Sequence, residues 1–420
     1  MKKFSYLKEC IVCGNNKLKK VISFKKHFVS GKFIPKNQKV INEVKTPLTL
    51  LLCKDRSCGH LQLKEIVNSK ILFNQTFYRS SMNSTMRTQL KDVVSKTVQL
   101  AKPIKNDLII DIGSNDSTLL SFYRKKFNLI GFEPSNKIIR VKTKNKIKVI
   151  ENFFNLPDIK KITNKKAKII TSCAMFYAVS NPLDFIKNIS LLLDPDGVWT
   201  LQITYLPMLI INNNFYDICH EHLSYYTFVS FKKLLDQTDL RILDFETNDV
   251  NGGSIRFYIV KNSSRKFSKL IKISKIKNQI NHEIKKGYNK PETFIQFRKK
   301  IEYLKNKTNK YIKKFNKKKK MILALGASTK GNVLLSLFNI SKKEIPYIID
   351  KNPMKKGLKS ISNQIEIISE QDALHLDIKS KIVLPWYFKT EIINREKLFI
   401  KNGGELYFPM PYPHVIKKNK

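Results

Sequence analysis

The 420-residue chain carries 79 Lys+Arg against 33 Asp+Glu, a formal charge of +46, with 42% hydrophobic residues and only 14 Gly and 15 Pro. That apolar content excludes a disordered polycation, the scarcity of Gly and Pro excludes a low-complexity chain, and the length predicts two or three domains. Ten of the basic residues are Arg and 69 are Lys, a poor match to a surface built for bidentate phosphate and base recognition, so nucleic acid is not an expected partner.

The first residues, Met1-Lys-Lys-Phe-Ser-Tyr-Leu-Lys-Glu-Cys10, are broken by charges before any apolar signal region forms, and no uncharged apolar run approaches the roughly 18 residues of a membrane span. A cytoplasmic protein with no membrane partner is expected. Four of the six Cys fall as Cys10-x2-Cys13 and Cys53-x4-Cys58, the second pair in a strand-turn-strand context, Leu51 to Leu63. Two such knuckles supply a tetrahedral four-thiolate shell, so a structural Zn²⁺ in a zinc-ribbon-like unit is expected. Four unrelated thiols are the alternative.

From Asp107 an apolar strand ends in Asp111-Ile-Gly113, the chain turns through Ser114-Asn115-Asp116-Ser117 into a helix, and a second strand, Asn128 to Pro134, ends in Glu133. This is the order of a doubly wound α/β cofactor domain, with Gly113 permitting close backbone approach and Glu133 placed for ribose hydroxyls. A single glycine and the added acid Asp116 disfavour a pyrophosphate and suit a cationic nucleoside such as S-adenosylmethionine. Asp111, Gly113, Asn115, Asp116 and Glu133 are the expected cofactor set, with Asn152 and Phe153 placed to flank an adenine. Two ordinary core phenylalanines are the alternative for Phe153-Phe154. Further strands are expected at Ala167–Cys173 and Gly197–Ile203, joined by a helix from Pro182 to Leu193.

The run Phe215 to Tyr226 concentrates His220, Glu221, His222 and three tyrosines. Histidine moves protons near neutrality and a neighbouring carboxylate fixes a tautomer or holds a hydroxyl, so acid–base work is expected. A zinc-protease arrangement needs His at i and i+4, which His220 and His222 do not supply; a buried structural cluster is the alternative. Residues 201–260 carry a net −3, whereas 261–320 hold 20 Lys and two Arg against three Glu. In that basic stretch Phe294, Phe297, Ile301, Leu304, Tyr311 and Phe315 follow helical spacing, which predicts one buried stripe with a lysine-coated back. Met321–Gly326 is expected as a strand, Ala327–Asn332 as a loop in which Lys330 meets a phosphate, and Val333 onward as a helix. Strands at 346–350 and 381–385 then repeat the α/β pattern.

Six runs resemble, over nearly the full chain, the three-domain S-adenosylmethionine-dependent nucleotide-sugar C-methyltransferases: the paired cysteines; Phe77-Tyr-Arg-Ser-Ser-Met-Asn-Ser-Thr-Met86; Asp111-Ile-Gly-Ser-Asn-Asp116; Ile218-Cys-His-Glu-His-Leu-Ser-Tyr-Tyr226; Asn251-Gly-Gly-Ser-Ile-Arg256; and Leu325-Gly-Ala-Ser-Thr-Lys-Gly-Asn332. The resemblance implies a zinc-binding domain at 1–75, a class I methyltransferase core at 76–260, a basic helical linker at 261–320 and a Rossmann-like domain at 321–420. It also implies methylation of a nucleotide-linked keto sugar beside its carbonyl through an enolate. In that scheme His222 is the base, Glu221 holds a sugar hydroxyl, Tyr78 lines the pocket, and His220 or a tyrosine donates to the enolate oxygen. Tyr225, Asn251 and Lys330 complete the expected substrate side. Cys219, Ala178 and Ser117 stand where the family pattern has Tyr, His and Gly, so an O- or N-methyltransferase of the same fold is the alternative.

Overall fold

The computed structural model describes residues 3–73, 78–135 and 138–418. Phe77, in one of the family-like runs, lies outside them. Among the described residues three larger sheets and one two-stranded sheet, Phe4–Tyr6 with Glu65–Val67, organise the chain, and two of the larger ones borrow a strand from another part of the sequence. At the N-terminal end, Leu18–Phe28 pairs antiparallel with Lys45–Cys53, which pairs with Leu61–Leu63, and the distant Ser224–Tyr225 closes this four-stranded sheet. Lys45–Cys53 buries nearly every residue after its first, because one face packs on the sheet's own core and the other on neighbouring elements. Leu48, Leu50 and Leu52 share one apolar cluster with residues of the C-terminal unit.

The central sheet has seven strands. In order of appearance they stack third, second, first, fourth, fifth, seventh, sixth: Ile147–Ile150, Asn128–Phe132, Leu108–Ile112, Ala167–Cys173, Leu193–Thr204, Ser254–Lys261, Leu240–Asn248. All run parallel except Ser254–Lys261. Leu108–Ile112 is buried throughout, as a strand covered by helices on both faces must be. Strand order reverses between Leu108–Ile112 and Ala167–Cys173, and a ligand crevice opens beyond the carboxyl ends of strands at such a switch point. The helix after Gly113 is a single turn, Thr118–Ser121, because Asn115 and Ser117 take left-handed conformations that delay its start.

Two helices, Ile273–Lys286 and Pro291–Lys317, carry the basic stretch. The longer one buries Phe294, Phe297, Ile301, Leu304, Thr308, Ile312 and Phe315. Ile312 rather than Tyr311 continues the stripe beyond Thr308, and half-buried Tyr311 instead stacks on Tyr407 and bonds Ser380 and Glu405. The C-terminal sheet runs His414–Ile416, Glu405–Phe408, Ile378–Val383, Met321–Leu325, Tyr347–Ile349, Glu366–Ile368, Leu358–Ser360, and ends on Phe33–Pro35 from the N-terminal region. The expected loop at 327–332 is mostly helix. Ser328 caps Thr329–Leu337 by accepting the Gly331 amide at 3.0 Å, so Lys330 stands in a first helical turn. Among the described residues no helix is long and apolar enough to cross a membrane.

Candidate active site

The four cysteines converge first. One ligand sulfur from each of Cys10, Cys13, Cys53 and Cys58 lies within 4.8 Å of the others, with Cys10 and Cys58 at 3.8 Å and Cys13 and Cys53 at 3.6 Å. Tetrahedral thiolates about 2.3 Å from a zinc ion stand about 3.8 Å apart, so the donor set fits Zn²⁺ and leaves no open coordination position. His60, two residues beyond Cys58, is not a fifth donor: Nε2 faces Ser224 Oγ and the ring lies against Tyr226. The centre is structural.

At the switch point, Asp111 is buried at its strand end and accepts the Thr171 hydroxyl at 2.6 Å. Burial pushes its carboxyl up to about 7, against the pull of that bond. Gly113 adopts a positive φ, and a Cβ there would stand 3.0 Å from Met175 Cγ. Glu133 receives the Asn115 amide on one oxygen and the Ser135 amide on the other, each at 3.0 Å. Burial raises its pKa and these amides oppose the rise. The next two loop residues do different work from that expected. Asn115 accepts the Ser80 amide and donates to the Tyr78 carbonyl, both at 3.0 Å, while fully buried Asp116 takes the Thr118 hydroxyl and the Ser81 amide. Together they hold residues 78–81 across the loop. Asn152 bonds Asp158 and the Phe153 amide, exposed Phe153 lies beside Phe73, and Phe154 packs into the core against Phe132 and Phe185. The hydroxyls of Ser114, Ser117 and Ser135 are buried with no partner among the described residues. Unpaired donors around a ribose-type carboxylate, with no phosphate cradle, fit S-adenosylmethionine.

The histidines diverge. His222 packs its ring on Tyr177 with centroids 3.8 Å apart, and burial, then the charge of Lys330, hold its pKa well below the ordinary 6.5. It is a neutral imidazole at physiological pH. His220 instead turns Nε2 toward the Thr46 carbonyl at 3.4 Å, in the N-terminal sheet, and burial lowers it to about 4. The turn closed by the His222 amide on the Cys219 carbonyl separates the two rings, so His220 faces the junction with the N-terminal sheet. Glu221 accepts the Gly31 amide on Oε1 at 3.1 Å, and its Oε2 is buried without a partner. Burial raises this carboxyl, and its own backbone amide, the Cys219 thiol and then the Gly31 amide work against that.

Lys330 reaches the seam between the central and C-terminal units, beside the His220–His222 run, from the C-terminal side. Its ammonium lies 2.6 Å from Oδ1 of fully buried Asp217 and 3.1 Å from the Asn251 carbonyl, with the rings of Tyr216 and Tyr387 at 5.4 and 5.2 Å. The expected phosphate contact is thereby replaced by an internal ion pair, which a buried carboxylate requires. Tyr225 donates its hydroxyl to the Asp217 carbonyl at 3.2 Å, and Tyr78 is half exposed beside the seam's cofactor loop. Sequence reasoning missed Tyr177, Asp217 and Tyr387. Tyr177 follows Met175, which packs on Gly113, so one short segment after the fourth strand touches both the cofactor loop and the candidate base. Its place just past a strand end at the switch point was the available signal.

Comparison with known proteins agrees with this layout. A zinc binding domain profile matches residues 10–73, a methyltransferase domain profile residues 82–244, and a C-methyltransferase C-terminal domain profile residues 249–411. The C-methyltransferase NovU of Streptomyces niveus is 25% identical over 411 residues, spanning 97% of this chain and 96% of that protein. Likenesses to solved structures are partial. The plantazolicin methyltransferase BpumL, solved with a desmethylPZN analog and SAH, shares 17% identity over 48% of this chain and 81% of its own, with a TM-score of 0.32. An S-adenosylmethionine-dependent methyltransferase of Clostridium acetobutylicum shares 15% over 42% and 92%, with a TM-score of 0.34. Fold and site define an S-adenosylmethionine-dependent methyltransferase with a structural zinc centre. The three profiles fall in order along one chain, so this methyltransferase carries a zinc binding domain before its methyltransferase domain and a C-methyltransferase C-terminal domain after it.

Proposed function

We propose that the enzyme methylates a nucleotide-linked keto sugar at the carbon beside its carbonyl. A carbonyl acidifies the neighbouring C–H, so a base that is neutral and desolvated at physiological pH can take that proton and leave an enolate. His222, buried against Tyr177, has that state. Bound S-adenosylmethionine supplies an electrophilic methyl group to the nucleophilic carbon. Glu221 offers its unpartnered Oε2 to a sugar hydroxyl, and the hydroxyl of Tyr177, whose pKa burial drives far above the ordinary 10, remains a donor for developing enolate charge. In this reading the segments 1–75, 76–260, 261–320 and 321–420 work as zinc unit, catalytic core, linker and substrate-side unit, in a cytoplasm that keeps the six cysteines reduced.

The observation that carries the reading is the adjacency of His222, a neutral buried base, and Glu221, a buried carboxylate with one free oxygen. His222→Ala is expected to lower turnover of a nucleoside-diphosphate keto sugar by about 100-fold or more while binding S-adenosylmethionine as wild type does. Undiminished turnover removes His222 from the role.

A further inference from the structure

The loop between Leu18–Phe28 and Phe33–Pro35 belongs by sequence to the zinc-binding end, yet it is stitched to the C-terminal unit. Phe33–Pro35 pairs with Leu358–Ser360, Asn332 Nδ2 donates to the Ser30 carbonyl at 2.8 Å, and Lys36 meets Glu366 at 3.0 Å. At the tip of this loop the Gly31 amide donates to Glu221 Oε1 at 3.1 Å. A Cβ on residue 31 would stand 2.6 Å from that oxygen and 3.1 Å from Thr329 Oγ1, and the backbone there lies outside the left-handed region. A side chain at residue 31 would therefore push aside the Glu221 carboxylate and the Thr329 hydroxyl, while the turn itself makes no demand for glycine.

We propose that Gly31 is a positioning residue of the active site. Its amide, anchored from the N-terminal and C-terminal units together, fixes one oxygen of Glu221 and leaves the other for a substrate hydroxyl. The inference rests on Glu221 as a substrate-binding group. A backbone amide donating to a buried carboxylate also favours the ionised form that accepts hydrogen bonds. The site is complete only when all three units are docked: the base and carboxylate come from the central unit, the positioning amide from the first, and Thr329 with the loop's anchor from the third.

Gly31→Ala is expected to lower kcat/KM with a nucleoside-diphosphate keto sugar by about 100-fold, the scale of a displacement near 1 Å, with zinc content and S-adenosylmethionine affinity unchanged. Glu221→Asp vacates the space that the new methyl needs. Adding Gly31→Ala in that background is expected to change kcat/KM by about threefold or less, a strong departure from additivity. Selective ¹⁵N-glycine labelling reports on 14 amides, and the Gly31 signal is expected to shift upfield in Glu221→Ala. Wild-type turnover in Gly31→Ala, additive losses in the double variant, or an unmoved Gly31 signal each overturns the proposal. If the unaltered enzyme turns over no nucleoside-diphosphate keto sugar, the functional reading itself fails and this inference falls with it; if it does and Gly31→Ala does equally well, only this inference fails.

Discussion

At the scale of single residues, two histidines two positions apart have opposite surroundings. His220 is spent on a backbone carbonyl of the N-terminal sheet, whereas His222 lies against Tyr177 at the seam, with Lys330 close enough to oppose its protonation. A base works when unprotonated, and a pKa held below 6.5 moves the acid limb of the rate profile down. Activity is therefore expected to persist as pH falls through 6.5, with the limb of kcat/KM lying below that value; a limb at or above 6.5 in a rate profile contradicts the assignment. The sequence alone could name both histidines but not separate them, because their separation depends on a turn and on Thr46, 174 residues away. Lys330 was legible as a functional-looking lysine, while its partner Asp217 was not, since nothing local marks a carboxylate that will be buried against a helix 113 residues downstream.

Among the elements, the linker helix Ile273–Lys286 does more than space two domains. Its one buried residue is Glu283, which accepts the Phe228 and Val229 amides at 2.8 and 2.9 Å and the Tyr205 hydroxyl. These amides open the helix Phe228–Leu235, shortly after the His-Glu-His run and the strand Ser224–Tyr225, so the linker holds the start of that helix. Glu283→Ala strands the buried Phe228 amide and the partly buried Val229 amide and is expected to cost about 3 kcal/mol in urea denaturation, with Glu283→Gln losing less because an acceptor oxygen remains; equal stability of the alanine variant refutes the capping role. Apolar spacing predicted the long helix Pro291–Lys317 and its stripe correctly up to Thr308, then chose Tyr311 over Ile312, because a tyrosine that reaches Ser380 and Glu405 with its hydroxyl looks like a core residue when read as a ring. The helix after Leu325 begins earlier than the run of small residues implied, since Ser328 is a capping residue whose acceptor role overrides a loop-like composition.

For the whole molecule, the motifs announced three units in order but not their interleaving. Ser224–Tyr225 completes the N-terminal sheet and Phe33–Pro35 completes the C-terminal one, and non-local pairings of two or three residues leave no pattern of their own in a sequence. The interleaving ties the zinc centre to the seam. Removing zinc with a chelator is expected to abolish turnover through the Leu61–Leu63 and Gly31 contacts while leaving S-adenosylmethionine binding intact, because Asp111, Gly113 and Glu133 bond only within the central unit; cofactor affinity lost in step with turnover argues against that separation. The charge of +46 is concentrated away from the seam, much of it on the linker stretch of 20 lysines, and so reads as background and not as a signature of function. Carbon methylation is tested by NMR of the product formed from ¹³C-methyl S-adenosylmethionine and a nucleoside-diphosphate keto sugar. A labelled methyl bonded to the carbon beside the carbonyl is expected; a label on oxygen or nitrogen, or no labelled sugar at all, rules carbon methylation out.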